Sequence, residues 1–383
     1  MSRTVNLPDG PLTLSGAGDE HATPGGRFTS RVAYAAAHVV ADPAAENVPG
    51  APAAVDWAAT LAFRRHLWSY GFGVAEAMDT AQRGMGMDYA AARELVRRSA
   101  QAARAEGGAI CAGVATDQLP AGPATLDEIR KAYAEQLADV QDAGARPVLM
   151  CSRHLAATAR SAGDYLDVYG RLLADADGPV VLHWLGPAFD PALAGYWGDA
   201  DPARAADTVV ALIDAHTAKV DGVKLSLLDE DFEVALRRRL PAGVRLYTGD
   251  DFNYPALIGG DAEGHSDALL GVLAAIAPPA ATALRALDGG DLAAYDRILA
   301  PTLPLARHLF GAPTFYYKTG IVFLAWLAGH QDHFTMVGGL QSGRSPAHLG
   351  RLLRLADAAG LLPDADLAAH RARAFLTTAG VAQ

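Results

Sequence analysis

The chain has 383 residues, 51% of them apolar and 20% charged, so a large core is available and a long disordered tract is not expected. A net charge of −11 and no basic face exclude a nucleic-acid partner. No apolar run approaches the roughly 20 residues of a membrane span, and Cys111 and Cys151 stand outside any Cys-x-x-Cys pair, which argues against disulfides, a thiolate metal site and a membrane partner. A cytoplasmic protein is expected.

From the N-terminus, Val5 to Leu7 and Leu12 to Leu14 flank Pro8-Asp9-Gly10-Pro11, the pattern of a hairpin ahead of a Gly-rich stretch, and residues 1–30 read as an extension. Beyond it, short apolar strands alternate with amphipathic helices. Strands are predicted near 31–39, 72–78, 108–114, 146–152, 179–185, 221–227, 244–249 and 263–267. Between them, Asp88 caps a helix that stops at Gly107-Gly108. Thr125 and Glu128 form a capping box ahead of Ile129, Tyr133, Leu137 and Val140, with Gly144 as the stop. Arg237-Arg238-Arg239 reads as the end of a helix, where cations complement the dipole. Eight such units predict an α/β fold, a closed (β/α)8 TIM barrel over residues 31–290, with three or four further helices filling 270–380 and those of 291–383 packed on the barrel. The competing open sheet lacks a G-x-G-x-x-G after its first strand.

Only four of the 32 basic residues are lysines, and Lys224 sits in the apolar strand Asp221-Gly222-Val223-Lys224-Leu225-Ser226. It reads in one of two ways. A lysine shielded from water loses its proton and attacks a carbonyl to form an imine, which arginine does not do; the bland alternative is a snorkelling or edge-strand residue. In a barrel of this type the chemistry gathers at the carboxyl ends of the strands. The polar residues expected there are His38, Glu76, Asp79, Thr80, Arg153, His154, His183, Lys224, Ser226, Asp250, Asn253 and His265. Asp250 also suits a helix cap, and His38 and His265 suit packed core histidines.

Val244-Arg245-Leu246-Tyr247-Thr248-Gly249-Asp250-Asp251, followed by Gly259-Gly260-Asp261-Ala262-Glu263-Gly264-His265-Ser266, resembles the dihydrodipicolinate synthase and N-acetylneuraminate lyase superfamily of class I aldolases. Asp221 to Ser226 lies the right distance upstream to match the segment that carries that family's imine lysine. Phe315-Tyr316-Tyr317-Lys318-Thr319-Gly320 and the stretch 355–362 resemble its C-terminal helices. The resemblance spans roughly residues 31–362. It implies a Schiff base on Lys224, no cofactor or metal, a small keto substrate and a homodimer or homotetramer.

Two departures mark an outlying branch. His183 stands where the family has a proton-relaying tyrosine, and an imidazole supports acid–base work near neutrality. Met78-Asp79-Thr80-Ala81-Gln82-Arg83 replaces the motif that holds a 2-oxo acid carboxylate. Thr80 keeps a relay hydroxyl, and Ala81 lacks the second one. The expected reaction is therefore an aldolase-type or dehydratase-type lyase step on a polyhydroxylated or sugar-derived ketone. Lys224, His183 and Thr80 would be catalytic, with Glu76, Asp79, Arg153, His154, Ser226, Asp250, Asn253 and His265 binding the substrate. The alternatives are a metal-dependent barrel hydrolase or isomerase using His38, His183 and His265, and a ligand-binding barrel without catalysis.

Overall fold

The computed structural model describes residues 2–16, 24–78 and 83–383. An antiparallel hairpin comes first, β1 (Thr4–Leu7) and β2 (Gly10–Thr13), with Leu7 opposite Gly10. Its second strand starts inside the expected turn, because Gly10 takes a φ of 116° that closes the loop after Pro8 and Asp9. The hairpin docks on the last two helices, Pro346–Ala358 and Ala365–Thr378, through Arg354 to Asp9 and Arg3 to Asp366.

Eight strands follow: β3 (Ala33–Ala36), β4 (Gly73–Glu76), β5 (Ile110–Val114), β6 (Arg146–Leu149), β7 (Val180–Leu185), β8 (Val220–Ser226), β9 (Arg245–Thr248) and β10 (Asp267–Leu270). All pair in parallel, and β10 closes onto β3, so the sheet is a complete barrel. Closure removes every sheet edge, which a run of buried apolar strands requires. Tyr34, Ala36, Ala75, Cys111, Val148, Val181, Tyr247 and Leu269 fill the lumen. The alternate residues face the helices and join the larger outer core. At the amino end of the strands, Asp221 accepts from Tyr247 Oη at 2.6 Å and pairs with Arg146 and Arg245, while Arg245 also pairs with Asp267. These charges plug that end.

The helices start where their caps predict. The Asp88 side chain accepts from the Ala91 amide ahead of Tyr89–Glu106, and both halves of the Thr125/Glu128 capping box form ahead of Leu126–Asp142. Two expectations need correction. The last strand starts four residues later than the expected 263–267, because Asp261 and Gly264 close a tight turn, with Asp261 Oδ1 accepting from the amides of Glu263 and Gly264 before the chain enters the barrel. Six α-helices, rather than three or four, follow β10, since Gly, Pro and Asp punctuate the segment more often than its apolar pattern reveals. No described helix is long and apolar enough to cross a membrane.

Candidate active site

Lys224 lies on β8 with the parity of Gly222 and Ser226, so its side chain points into the lumen near the carboxyl end. His183 of β7 is its register partner on one side and Tyr247 of β9 on the other. Lys224, His183 and Ser226 line one cavity together with Asp251, Gly249 and Gly271, walled by Ala36, Met78, Leu185, Phe189, Phe310 and Tyr317. Two glycines make the room. A Cβ on Gly249 would fall 3.0 Å from Lys224 Cε and 2.1 Å from Ser226 Oγ, and one on Gly271 would fall 2.6 Å from the Tyr317 ring.

The electrostatics follow from burial. His183 is 1% exposed, and burial, reinforced by the Lys224 charge, drives its imidazole well below its ordinary value. It is therefore neutral near pH 7, with Nε2 at 3.3 Å from Ser226 Oγ. Asp251 is pushed up to about 7, first by burial and then by Asp250, against the opposing pull of the Val272 amide, Lys224 and Lys318. Its Oδ1 accepts from that amide at 2.8 Å. A carboxyl, an imidazole and a primary amine thus share one largely apolar cavity, and burial brings the Asp251 carboxyl near the point of proton exchange.

Several residues expected in the site lie elsewhere. Glu76 has the opposite parity to the lumen residue Ala75. It faces the helix Trp57–Ser69, where Arg64 grips both carboxylate oxygens at 2.7 and 2.8 Å. Asp250 turns back on its own loop, accepting from the amides of Phe252 and Asn253 and from Asn253 Nδ2, so neither Asp250 nor Asn253 presents its side chain to a ligand. Arg153 is exposed and paired with Asp190, and His154 bridges Thr116 Oγ1 and the Pro120 carbonyl. His265 precedes β10 and sits at the amino end of the barrel, away from the cavity, because the strand starts later than predicted. His38 lies beyond β3 with Nε2 at 2.8 Å from Gln331 Oε1. His38, His183 and His265 therefore do not converge as a metal-dependent barrel would need, and among the described residues no three His, Cys, Asp or Glu side chains are arranged to hold an ion. Asp79 and Thr80 lie outside the described residues.

Two lining residues, Asp251 and Tyr317, and the neighbouring Lys318 were given no role from the sequence. Asp251 follows Asp250, and nothing local says which of the two turns inward. Tyr317 and the fully buried Lys318 come from the start of the helix Tyr317–Leu327, which folds over the barrel mouth, so Lys318 Nζ donates to the Ala36 carbonyl. The scarcity of lysine was the one signal that pointed to Lys318.

A family model described as a protein of unknown function, DUF993, matches residues 11–381. The chain belongs to that family. No curated protein matches this DUF993 chain by sequence. Among solved structures, it is similar to dihydrodipicolinate synthase from Aquifex aeolicus, with 13% identity and a TM-score of 0.65 over 87% of this chain and 99% of that one. A putative dihydrodipicolinate synthetase from Pseudomonas aeruginosa gives 14% and 0.66 over 86% and 99%. A prophage protein of the dihydrodipicolinic acid synthase family from E. coli, in complex with pyruvate, gives 14% and 0.67 over the same shares. At this identity the likeness shows the fold alone: the DUF993 chain has the barrel architecture of the dihydrodipicolinate synthases.

Proposed function

We propose that the protein is a Schiff-base-forming lyase of the class I aldolase type. The observation that carries this reading is Lys224 at the carboxyl end of β8, beside a neutral His183 and inside an apolar-walled cavity. The Lys224 amine attacks the substrate carbonyl carbon, the carbonyl oxygen is protonated and leaves as water, and an iminium remains. A bond from the α-carbon to a carbinol carbon then breaks, its electron pair forming the enamine double bond, while the carbinol hydroxyl gives up its proton and that fragment leaves as an aldehyde or ketone. His183, neutral and hydrogen-bonded to Ser226, accepts or returns the proton.

The expected sugar-derived substrate loses support, since Glu76, Asp250, Asn253 and His265 face away from the cavity. Among the described lining residues the polar side chains are His183, Lys224, Ser226, Asp251 and the Tyr317 hydroxyl; the rest are apolar. A ketone with an apolar substituent suits such walls better, because buried apolar area contributes to binding where hydroxyls would lose their hydrogen bonds to water.

Borohydride reduction in the presence of pyruvate, hydroxyacetone and neutral alkyl or aryl ketones, followed by peptide mass mapping, tests the reading. A reduced adduct on Lys224 that is lost in Lys224→Arg is expected. Adducts on Lys131 or Lys219 alone, or none with any carbonyl, would overturn it.

A further inference from the structure

Two aromatic rings wall the Lys224 cavity from the side of the C-terminal helices, and the chemistry above has no step for them. Phe310 closes the helix Thr302–Leu309, Tyr317 opens the helix Tyr317–Leu327, and their rings stack with centroids 4.3 Å apart at 19°. Both line the cavity and both are buried. The stack comes down onto the end of β10 because residue 271 has no side chain: a Cβ there would stand 2.6 Å from the Tyr317 ring and 2.9 Å from the Phe310 ring.

This wall is anchored along the chain that joins its two rings. The carbonyls of Gly311, Ala312 and Pro313 all accept from the Arg344 guanidinium, at 2.6, 3.2 and 3.0 Å. One residue beyond Tyr317, Lys318 donates to the Ala36 carbonyl and ties the start of its helix to β3. Rings held in this way move little, because in a close-packed wall each displacement opens a void or makes a clash. The cavity volume open to the centres of water-sized molecules is about 20 Å³, room for little more than one water. A carbonyl carrying short alkyl groups enters with small side-chain shifts, whereas a six-membered ring needs the space that an aromatic wall residue already fills.

We propose that the Phe310–Tyr317 stack is the specificity-determining wall of the site, which limits the substrate to small aliphatic ketones and excludes aryl ketones. The identity of the substrate as a ketone rests on the imine reading of Lys224; the exclusion rests on shape. An apolar pocket discriminates by about 10–200-fold for a single methylene, so a phenyl group is rejected by at least that factor.

The test is competition between butanone and acetophenone for borohydride trapping on Lys224 of the full chain, read by peptide mass mapping and referred to the same competition on free butylamine. The parent favours butanone by about tenfold or more beyond butylamine. In Phe310→Ala the lost ring leaves a hole of the shape of a phenyl group, and the acetophenone-to-butanone ratio rises by about as much. A parent that selects as butylamine does, or a variant that gains with both ketones alike, overturns the inference while leaving the imine reading intact. The alcohol 1-phenylethanol forms no imine and reads the wall by itself: it raises the thermal midpoint of Phe310→Ala and leaves that of the parent unchanged. If no ketone is trapped in either protein, the imine reading fails and these melting curves decide the wall; equal shifts, or none, overturn it. If Phe310→Ala does not fold, Phe310→Leu is read in the same two ways, and a ratio or melting curve that matches the parent overturns the proposal.

Discussion

Lys224 Cε passes so close to the backbone of Gly249 that a single methyl group there would stand 3.0 Å from it. The amine reaches the lumen because its neighbouring strand ends in a residue without a side chain. Ser226 Oγ, at 2.1 Å from the same point, shares the constraint. Gly249→Ala must therefore push both side chains off their rotamers, at a cost of about 1–3 kcal/mol. Borohydride trapping on Lys224 should fall by about tenfold or more with the barrel still folded, since 1.4 kcal/mol is a factor of ten. Trapping at the parental rate would show that the two side chains do not depend on this gap.

The Arg64–Glu76 pair is fully buried on the helix side of β4. Removing one partner strands a charge, so Glu76→Gln is expected to cost about 3–5 kcal/mol of stability. The double replacement Arg64→Met, Glu76→Leu should recover most of that loss, because neither charge is then left unpaired. Urea unfolding of the three proteins checks this. A Glu76→Gln protein of parental stability but impaired ligand binding would return Glu76 to the substrate.

Acid should destabilise the fold through its buried imidazoles. His38 and His183 both have folded values well below 6.5, first because of burial and then because of Lys318 and Lys224 respectively. The unfolded chain then binds protons that the native state refuses, so stability is lost as pH falls below the unfolded value near 6.5. Each contributes about 1.4 kcal/mol of loss between pH 7.5 and 5.5. His183→Phe should remove its share of that slope in urea unfolding at the two pH values, and an unchanged slope would place a charged imidazole in the native site.

Glu233 gives the opposite sign. It is 1% exposed between the helix Glu230–Arg237 and the outer face of β9, accepting from Thr248 and Ser266, and burial pushes it up to about 8. Its stabilising protonation is complete below the unfolded value near 4.5 and is lost as pH rises towards 8. Asp251, pushed up to about 7, adds a smaller loss of the same sign. Glu233→Gln should therefore raise the thermal midpoint at pH 8 and leave it nearly unchanged at pH 5, the difference being on the order of 2–3 kcal/mol. Equal effects at the two pH values would mean that Glu233 is ionised in the folded protein throughout.

Much of the architecture was legible because it is written at short range. Alternation along Asp221 to Ser226 sends Lys224 inward with Gly222 and Ser226, and the same parity, visible in the strand itself, sends Glu76 away from Ala75. Caps at Asp88 and Thr125 mark helices through their own first turns. The late start of β10, and with it the misplaced His265, came from a turn at Asp261 to Gly264 that an apolar pattern does not register.

The sequence by itself determined eight alternating units, a closed barrel and one lumen-facing lysine, since periods of 2 and 3.6 residues are properties of neighbouring backbone. Only the tertiary structure decided which charges meet. Lys318 reaches the Ala36 carbonyl across 282 residues of chain, Asp251 rather than Asp250 enters the cavity, and Arg64 claims Glu76. Such pairings depend on how the barrel closes and which helix covers its mouth, and a buried charge is settled by the partner it finds there rather than by the residues beside it in the chain.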